Sequence, residues 1–100
     1  MPVLFGVKST NLEESARWVE QAIGLTAEPR ESISFGGDYY GFSGLHGEIV
    51  RLLVNKDVYD GEPVVAGADS WIVVVTLENA PDNSPLTKSL IADAQHFQML

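Results

Sequence analysis

The chain has 100 residues, of which 45% are hydrophobic and 20% are charged, and these values fit one globular domain spanning 1–100. Its net charge of −8, from 14 acidic and 6 basic residues, disfavours binding to nucleic acid or to anionic membranes. The absence of cysteine excludes a disulfide framework and a thiolate metal site.

The first predicted element is a strand at VLFGVKS (3–9), in which alternate residues share one apolar face. A helix over 10–25 follows, and both of its ends carry signals. Thr10 or Asn11 can cap the helix, with a glutamate three residues later, and Gly24 can take the left-handed position after its last turn. Its apolar stripe recurs at helical spacing and consists of Leu12, Ala16, Val19 and Ile23.

Two short strands are predicted next, around the glycine pair Gly36-Gly37. RESISF (30–35) alternates and places Ile33 and Phe35 on one face. In the strand 39–43, Tyr40 and Phe42 share the face expected to join the core.

The remaining elements are two apolar strands and a second helix. GEIVRLLVN (47–55) and WIVVVTLEN (71–79) have the β-branched, nearly continuous apolar character of central strands. The segment 55–70 between them, named here the acidic loop, contains four acids and one lysine. Ser84 and Pro85 predict a helix start, and apolar residues continue at helical spacing as far as Phe97.

The predicted order is therefore β-α-β-β-β-β-α, which indicates an α+β fold with a mostly antiparallel sheet and two helices packed on one face. The strand 71–79 is apolar on both sides, and one layer of helices does not account for that. The second face of the sheet then either curls on itself, as in a half-barrel, or meets another chain, for example in a homodimer.

Two stretches combine acids, glycine and tyrosine in a way that is typical of protein contact surfaces. The residues that we predict to contact a partner are Asp38, Tyr39, Asp57, Tyr59, Asp60 and Glu62. The simpler alternatives are a hairpin turn followed by a short strand for the first stretch, and a solvated acidic loop for the second. If both stretches lie side by side, they form one surface.

Catalytic and metal-binding patterns are weak in this sequence. His46 and Glu48, with Asp38 as a third ligand, could hold a metal, although a turn histidine and a solvated carboxylate explain them as well. Arg51 interrupts an apolar strand and therefore needs a carboxylate partner, for which Glu48, Glu78 and Asp38 are candidates. We assign no catalytic residue and no cofactor.

Residues 3–55, with their strand–helix start, aromatic strand and GEIVRLLVN, resemble one βαβββ module of the vicinal-oxygen-chelate superfamily, which includes glyoxalases. That resemblance implies a small-molecule binder or a metal-dependent enzyme that acts as a dimer. Enzymes of the superfamily carry a metal-binding histidine in the first strand of a module, where this sequence has Phe5, Val7 and Lys8.

FGGDYYGF and the acidic NKDVYDGEP also resemble features of small bacterial immunity proteins, which neutralise the toxins of interbacterial competition. This resemblance implies a cytoplasmic, non-enzymatic antitoxin that binds a cognate toxin domain, for which a basic nuclease is the best match to the acidic charge. A cytoplasmic location also agrees with the N-terminus, where we expect no signal peptide because a basic region and a long apolar run are missing.

Overall fold

One antiparallel sheet forms the centre of the computed structural model, which describes residues 3–80 and 84–100. In those residues the elements are β1 (Val3–Val7), α1 (Leu12–Ile23), β2 (Glu28–Ser32), β3 (Gly37–Ser43), β4 (Ile49–Val54), β5 (Val73–Glu78), α2 (Pro85–Ala92) and β6 (Phe97–Met99). The strands lie side by side in the order β2-β3-β4-β5-β1-β6, and each neighbouring pair is antiparallel. The predicted α+β class and the predicted order of elements are confirmed, with β6 as an additional strand.

Helix α1 begins and ends at residues that the sequence indicated. The Asn11 side chain accepts a hydrogen bond from the backbone N–H of Glu14 at 2.8 Å, and Glu14 accepts one from the Ser9 hydroxyl at 2.8 Å. Gly24 follows the last turn with a φ of 71°, a conformation that costs glycine little because it has no Cβ. Local chemistry therefore accounts for both ends of this helix.

Two predicted boundaries are wrong, and tertiary contacts explain both. The second helix does not reach Phe97, because α2 ends at Ala92 and a turn at Asp93 leads into β6, which pairs with β1. The strand predicted over 30–35 instead spans Glu28–Ser32, and Ile33–Phe35 form a short 3₁₀ helix. That turn carries Phe35 over the second face of the sheet, where its ring lies 4.5 Å from the Arg51 guanidinium.

Both helices pack on the same face of the sheet, as predicted, and this face forms the main core. Its strand residues alternate inward, as expected for a half-buried sheet. The buried members of this core are Phe5, Val7, Ala16, Val19, Phe42, Val50, Leu52, Val73, Val75, Leu77, Leu90 and Phe97.

Part of the second face is covered by the acidic loop and the residue after it, which explains why β5 is apolar on both sides. Leu53 and Val74 are buried there beneath Ala68, and Val64, Val65, Trp71 and Tyr39 pack around them. The buried Asn55 side chain ties the loop down through contacts to four main-chain groups, at Val64, Val65, Ala68 and Trp71. The chain therefore uses its own loop as the partner of this face.

Within the described residues, 3–80 and 84–100, neither α1 nor α2 is long and apolar enough to cross a membrane.

Candidate functional site: the tip of the acidic loop

The tip of the acidic loop, residues 56–62, is a turn fixed by its own hydrogen bonds. The Asp57 carboxylate accepts hydrogen bonds from the backbone N–H groups of Tyr59 at 2.8 Å and Asp60 at 3.2 Å. Asp60 in turn accepts one from the N–H of Glu62 at 2.9 Å, and the Asp57 N–H donates to the Glu62 carbonyl at 2.7 Å. Asp57 is half-buried and shapes the turn, so its first role is structural.

The side chains that this turn presents to solvent include an aromatic ring and an aliphatic group. Tyr59 is 80% exposed and Val58 is 50% exposed, and both are flanked by the exposed acids Asp60 and Glu62. An aromatic anchor with a charged rim is the composition that protein interfaces favour. Val58 was missing from the sequence prediction, because its exposure depends on how the loop is folded.

The two stretches singled out in the sequence meet at the glycine pair. A Cβ added to Gly36 would stand 2.4 Å from the Val54 carbonyl oxygen, and one added to Gly37 would stand 3.2 Å from a methyl group of Val58. Both glycines have positive φ, at 81° and 96°, which side chains rarely tolerate. The hairpin between β2 and β3 therefore lies directly against the tip of the acidic loop.

Asp38 and Tyr39 point to opposite faces of the sheet, because successive residues of a strand alternate. Tyr39 lies on the second face, half-buried, with its ring edge-on to Phe35 at a centroid distance of 5.1 Å. Asp38 is exposed on the helix side, where it lines an open cleft of about 580 Å³ together with Glu13 and Tyr40. Four of the six predicted contact residues thus lie at the loop tip, whereas Asp38 lines this cleft and Tyr39 packs on the second face at its edge.

His46, Glu48 and Asp38 do not form a metal site. In the ranges 3–80 and 84–100, no cluster of three or more His, Cys, Asp or Glu side chains could hold an ion. Glu48 is 5% exposed, and its carboxylate accepts a hydrogen bond from the His46 N–H at 2.8 Å, across the turn between β3 and β4. The fold uses this carboxylate to close a turn.

Glu48→Gln is expected to lower the free energy of unfolding at pH 7, and the difference from wild type should shrink in acid. Hydrogen bonds from the backbone N–H groups of Glu48 itself and of His46 hold the pKa of this carboxyl below its ordinary 4.5. A folded pKa below the unfolded one stabilises the fold above about pH 4.5, and the contribution is lost as the pH falls through the folded pKa.

Urea unfolding at pH 7 and pH 3 measures this effect, and Glu62→Gln is the matched control because Glu62 is exposed. A Glu48→Gln deficit that stays equal at both pH values would contradict the role of the ionised carboxylate.

Arg51 has the carboxylate partner that its position in an apolar strand required. Its guanidinium lies 3.0 Å from the Glu78 carboxylate, one of the three predicted candidates, and its side chain is 21% exposed. The same guanidinium stacks over Phe35, so the ion pair and the ring together anchor the 3₁₀ turn to the sheet.

No model of a known protein family matches this chain, and no curated protein matches its sequence.

Proposed function

We propose that this protein is a non-catalytic cytoplasmic inhibitor, an immunity protein or antitoxin, which binds a basic, nuclease-type toxin domain through the tip of its acidic loop. The observation that carries this proposal is the 80% exposed ring of Tyr59, held on a hydrogen-bonded turn between carboxylates. A large exposed aromatic side chain on a fixed turn binds a partner at little cost in conformational entropy.

Charge supports a basic partner. The net charge of −8 attracts cationic surfaces and accelerates encounter with them, most strongly at low ionic strength. A nuclease binds the phosphates of its substrate through a basic surface, and an acidic inhibitor is complementary to that surface. Asp60 and Glu62 supply this charge next to the ring that would anchor the complex.

The direct test is co-expression. The C-terminal domain of the protein encoded immediately upstream would be produced in a host, once alone and once together with this chain. We expect that domain to arrest growth alone, and we expect this chain to rescue growth and to co-purify with it at a fixed stoichiometry. A neighbour that is harmless by itself, or rescue without a complex, would contradict the proposal.

Tyr59→Ala should weaken the complex about 30-fold, the loss expected when an interface anchor worth about 2 kcal/mol is removed. Because the ring is mostly exposed in the free protein, the melting temperature should hardly change. Calorimetric titration of the toxin domain measures the first quantity, and differential scanning calorimetry measures the second.

The contribution of charge can be isolated with two variants of equal net charge. Glu62→Lys should slow association about tenfold at low ionic strength, and the effect should fade as salt is added. Asp69→Lys reverses an exposed carboxylate outside the tip of the loop and serves as the matched control. If both variants slow association equally, net charge matters and the loop tip does not.

A further inference from the structure

A half-open cavity of about 280 Å³ lies on the second face of the sheet, beneath the acidic loop. Its floor is formed by β1, β4 and β5, its roof by Val64–Ala66, and one wall by the 3₁₀ turn. Most of its lining is apolar and comes from Leu4, Phe35, Leu53, Val64, Val65 and Ala66, as is usual in pockets for small molecules.

The charged groups on the floor of the cavity balance each other. Arg51 and Glu78 both line the cavity, and their charged groups lie 3.0 Å apart. The Arg51 guanidinium is also held over the Phe35 ring at 4.5 Å, which fixes its position. A charged ligand would have to lose its hydration and also compete with this ion pair, which is costly in an apolar site.

The roof is held in place independently of any ligand. The Asn55 side-chain oxygen accepts hydrogen bonds from the backbone N–H groups of Val64 at 2.9 Å and Val65 at 2.8 Å. On the other side, the Asn55 amide donates to the carbonyl of Ala68 at 2.8 Å. Because Asn55 itself is buried and these bonds are at least partly shielded from water, the roof keeps its position over the sheet, and the cavity is formed in advance of binding.

From this geometry we propose that the cavity is a binding site for a small, uncharged and largely apolar molecule with a single hydrogen-bonding group. Leu4, Leu53 and Val65 provide the apolar contacts, and the half-buried Thr76 provides a hydroxyl on the floor. The volume is slightly below the roughly 300 Å³ at which ligand pockets usually begin, so the ligand is a single ring or a short chain. This binding activity goes beyond the proposed inhibition, and it does not require the loop tip to bind a toxin.

Three probes with one ring and three charge states test the proposal: benzyl alcohol, benzoate and benzylamine. In a ¹H–¹⁵N NMR titration of the full chain, we expect benzyl alcohol to bind with a dissociation constant of about 1 mM and to shift the amide signals of Val65, Thr76 and their neighbours. Benzoate and benzylamine should bind at least tenfold more weakly. Benzoate binding more tightly than benzyl alcohol would overturn the uncharged class, and absent or scattered shifts would overturn the site.

Thr76→Leu adds apolar atoms inside the cavity and should abolish benzyl alcohol binding. Thr26→Leu makes the same change at an exposed position outside the cavity and should bind like wild type. Equal binding by both variants would show that the probe is held elsewhere. The wild-type titration decides the question even if Thr76→Leu folds poorly.

Discussion

Asn55→Ala is expected to lower the free energy of unfolding by about 3 kcal/mol, which corresponds to a fall in melting temperature of roughly 12–24 °C. The Asn55 side chain is 7% exposed and forms hydrogen bonds with four main-chain groups, three in the acidic loop and one at Trp71. Alanine would leave the N–H groups of Val64 and Val65 without their acceptor, whereas the Ala68 carbonyl would lose one donor and keep the N–H of Trp71 at 2.9 Å. Buried main-chain groups without a partner are costly, so the loop should detach from the second face.

Thermal and urea unfolding measure the Asn55→Ala effect, and Asn55→Asp separates shape from hydrogen-bond chemistry. Aspartate keeps the acceptor that faces Val64 and Val65, but it replaces the donor that faces the Ala68 carbonyl with an oxygen. It should therefore also destabilise the protein. Gln21→Ala, at an exposed position of α1, should change the melting temperature little. Wild-type stability in Asn55→Asp would contradict the donor role of the Asn55 amide.

Gly6→Ala is expected to destabilise the protein by about 3 kcal/mol, at the upper end of the usual cost of overpacking. Gly6 is buried on β1, and a Cβ at this position would stand 2.1 Å from Cδ2 of the Trp71 ring and 2.4 Å from two more of its carbon atoms. Real Cβ atoms do not come that close, so the ring must move away from β1. Because Trp71 also packs on the Leu53 and Val74 cluster, its displacement should disturb the whole loop.

A double-mutant cycle with Trp71→Leu tests this contact. The smaller side chain removes the clash, so Gly6→Ala should cost much less in the Trp71→Leu background than in wild type. Tryptophan fluorescence gives a second readout, because the displaced Trp71 ring should be more exposed and emit at longer wavelength. Equal costs of Gly6→Ala in both backgrounds would show that the ring does not pack on Gly6.

The division of the predicted contact residues follows from sheet geometry. Asp38 and Tyr39 were expected to act on one surface, but a strand turns them to opposite faces, and Tyr39 packs against Phe35. Asp57 is predicted to contact a partner, and its carboxylate also closes the turn that presents Tyr59. Partner binding by the loop tip and partner binding by the cleft at Asp38 must therefore be tested with separate mutations.

Local interactions made α1, β4 and β5 predictable from the sequence alone. The caps and the apolar stripe of α1 involve residues that are close together in the chain. The apolar sequences of β4 and β5 likewise predict that these strands are buried. The sequence of β4 alone also predicts that Arg51 needs a carboxylate partner, since an apolar strand does not tolerate an unpaired charge.

Only the tertiary structure decided which distant segments meet. Glu78 became the partner of Arg51 because β4 and β5 pair in a register that sets the two side chains on one face. Phe97 entered the core from β6 because the outer edge of β1 was open for pairing. The acidic loop came to cover the second face because Asn55 and Trp71 hold it there. These contacts join residues far apart in the chain, and their free energy appears only after the loops between them have closed.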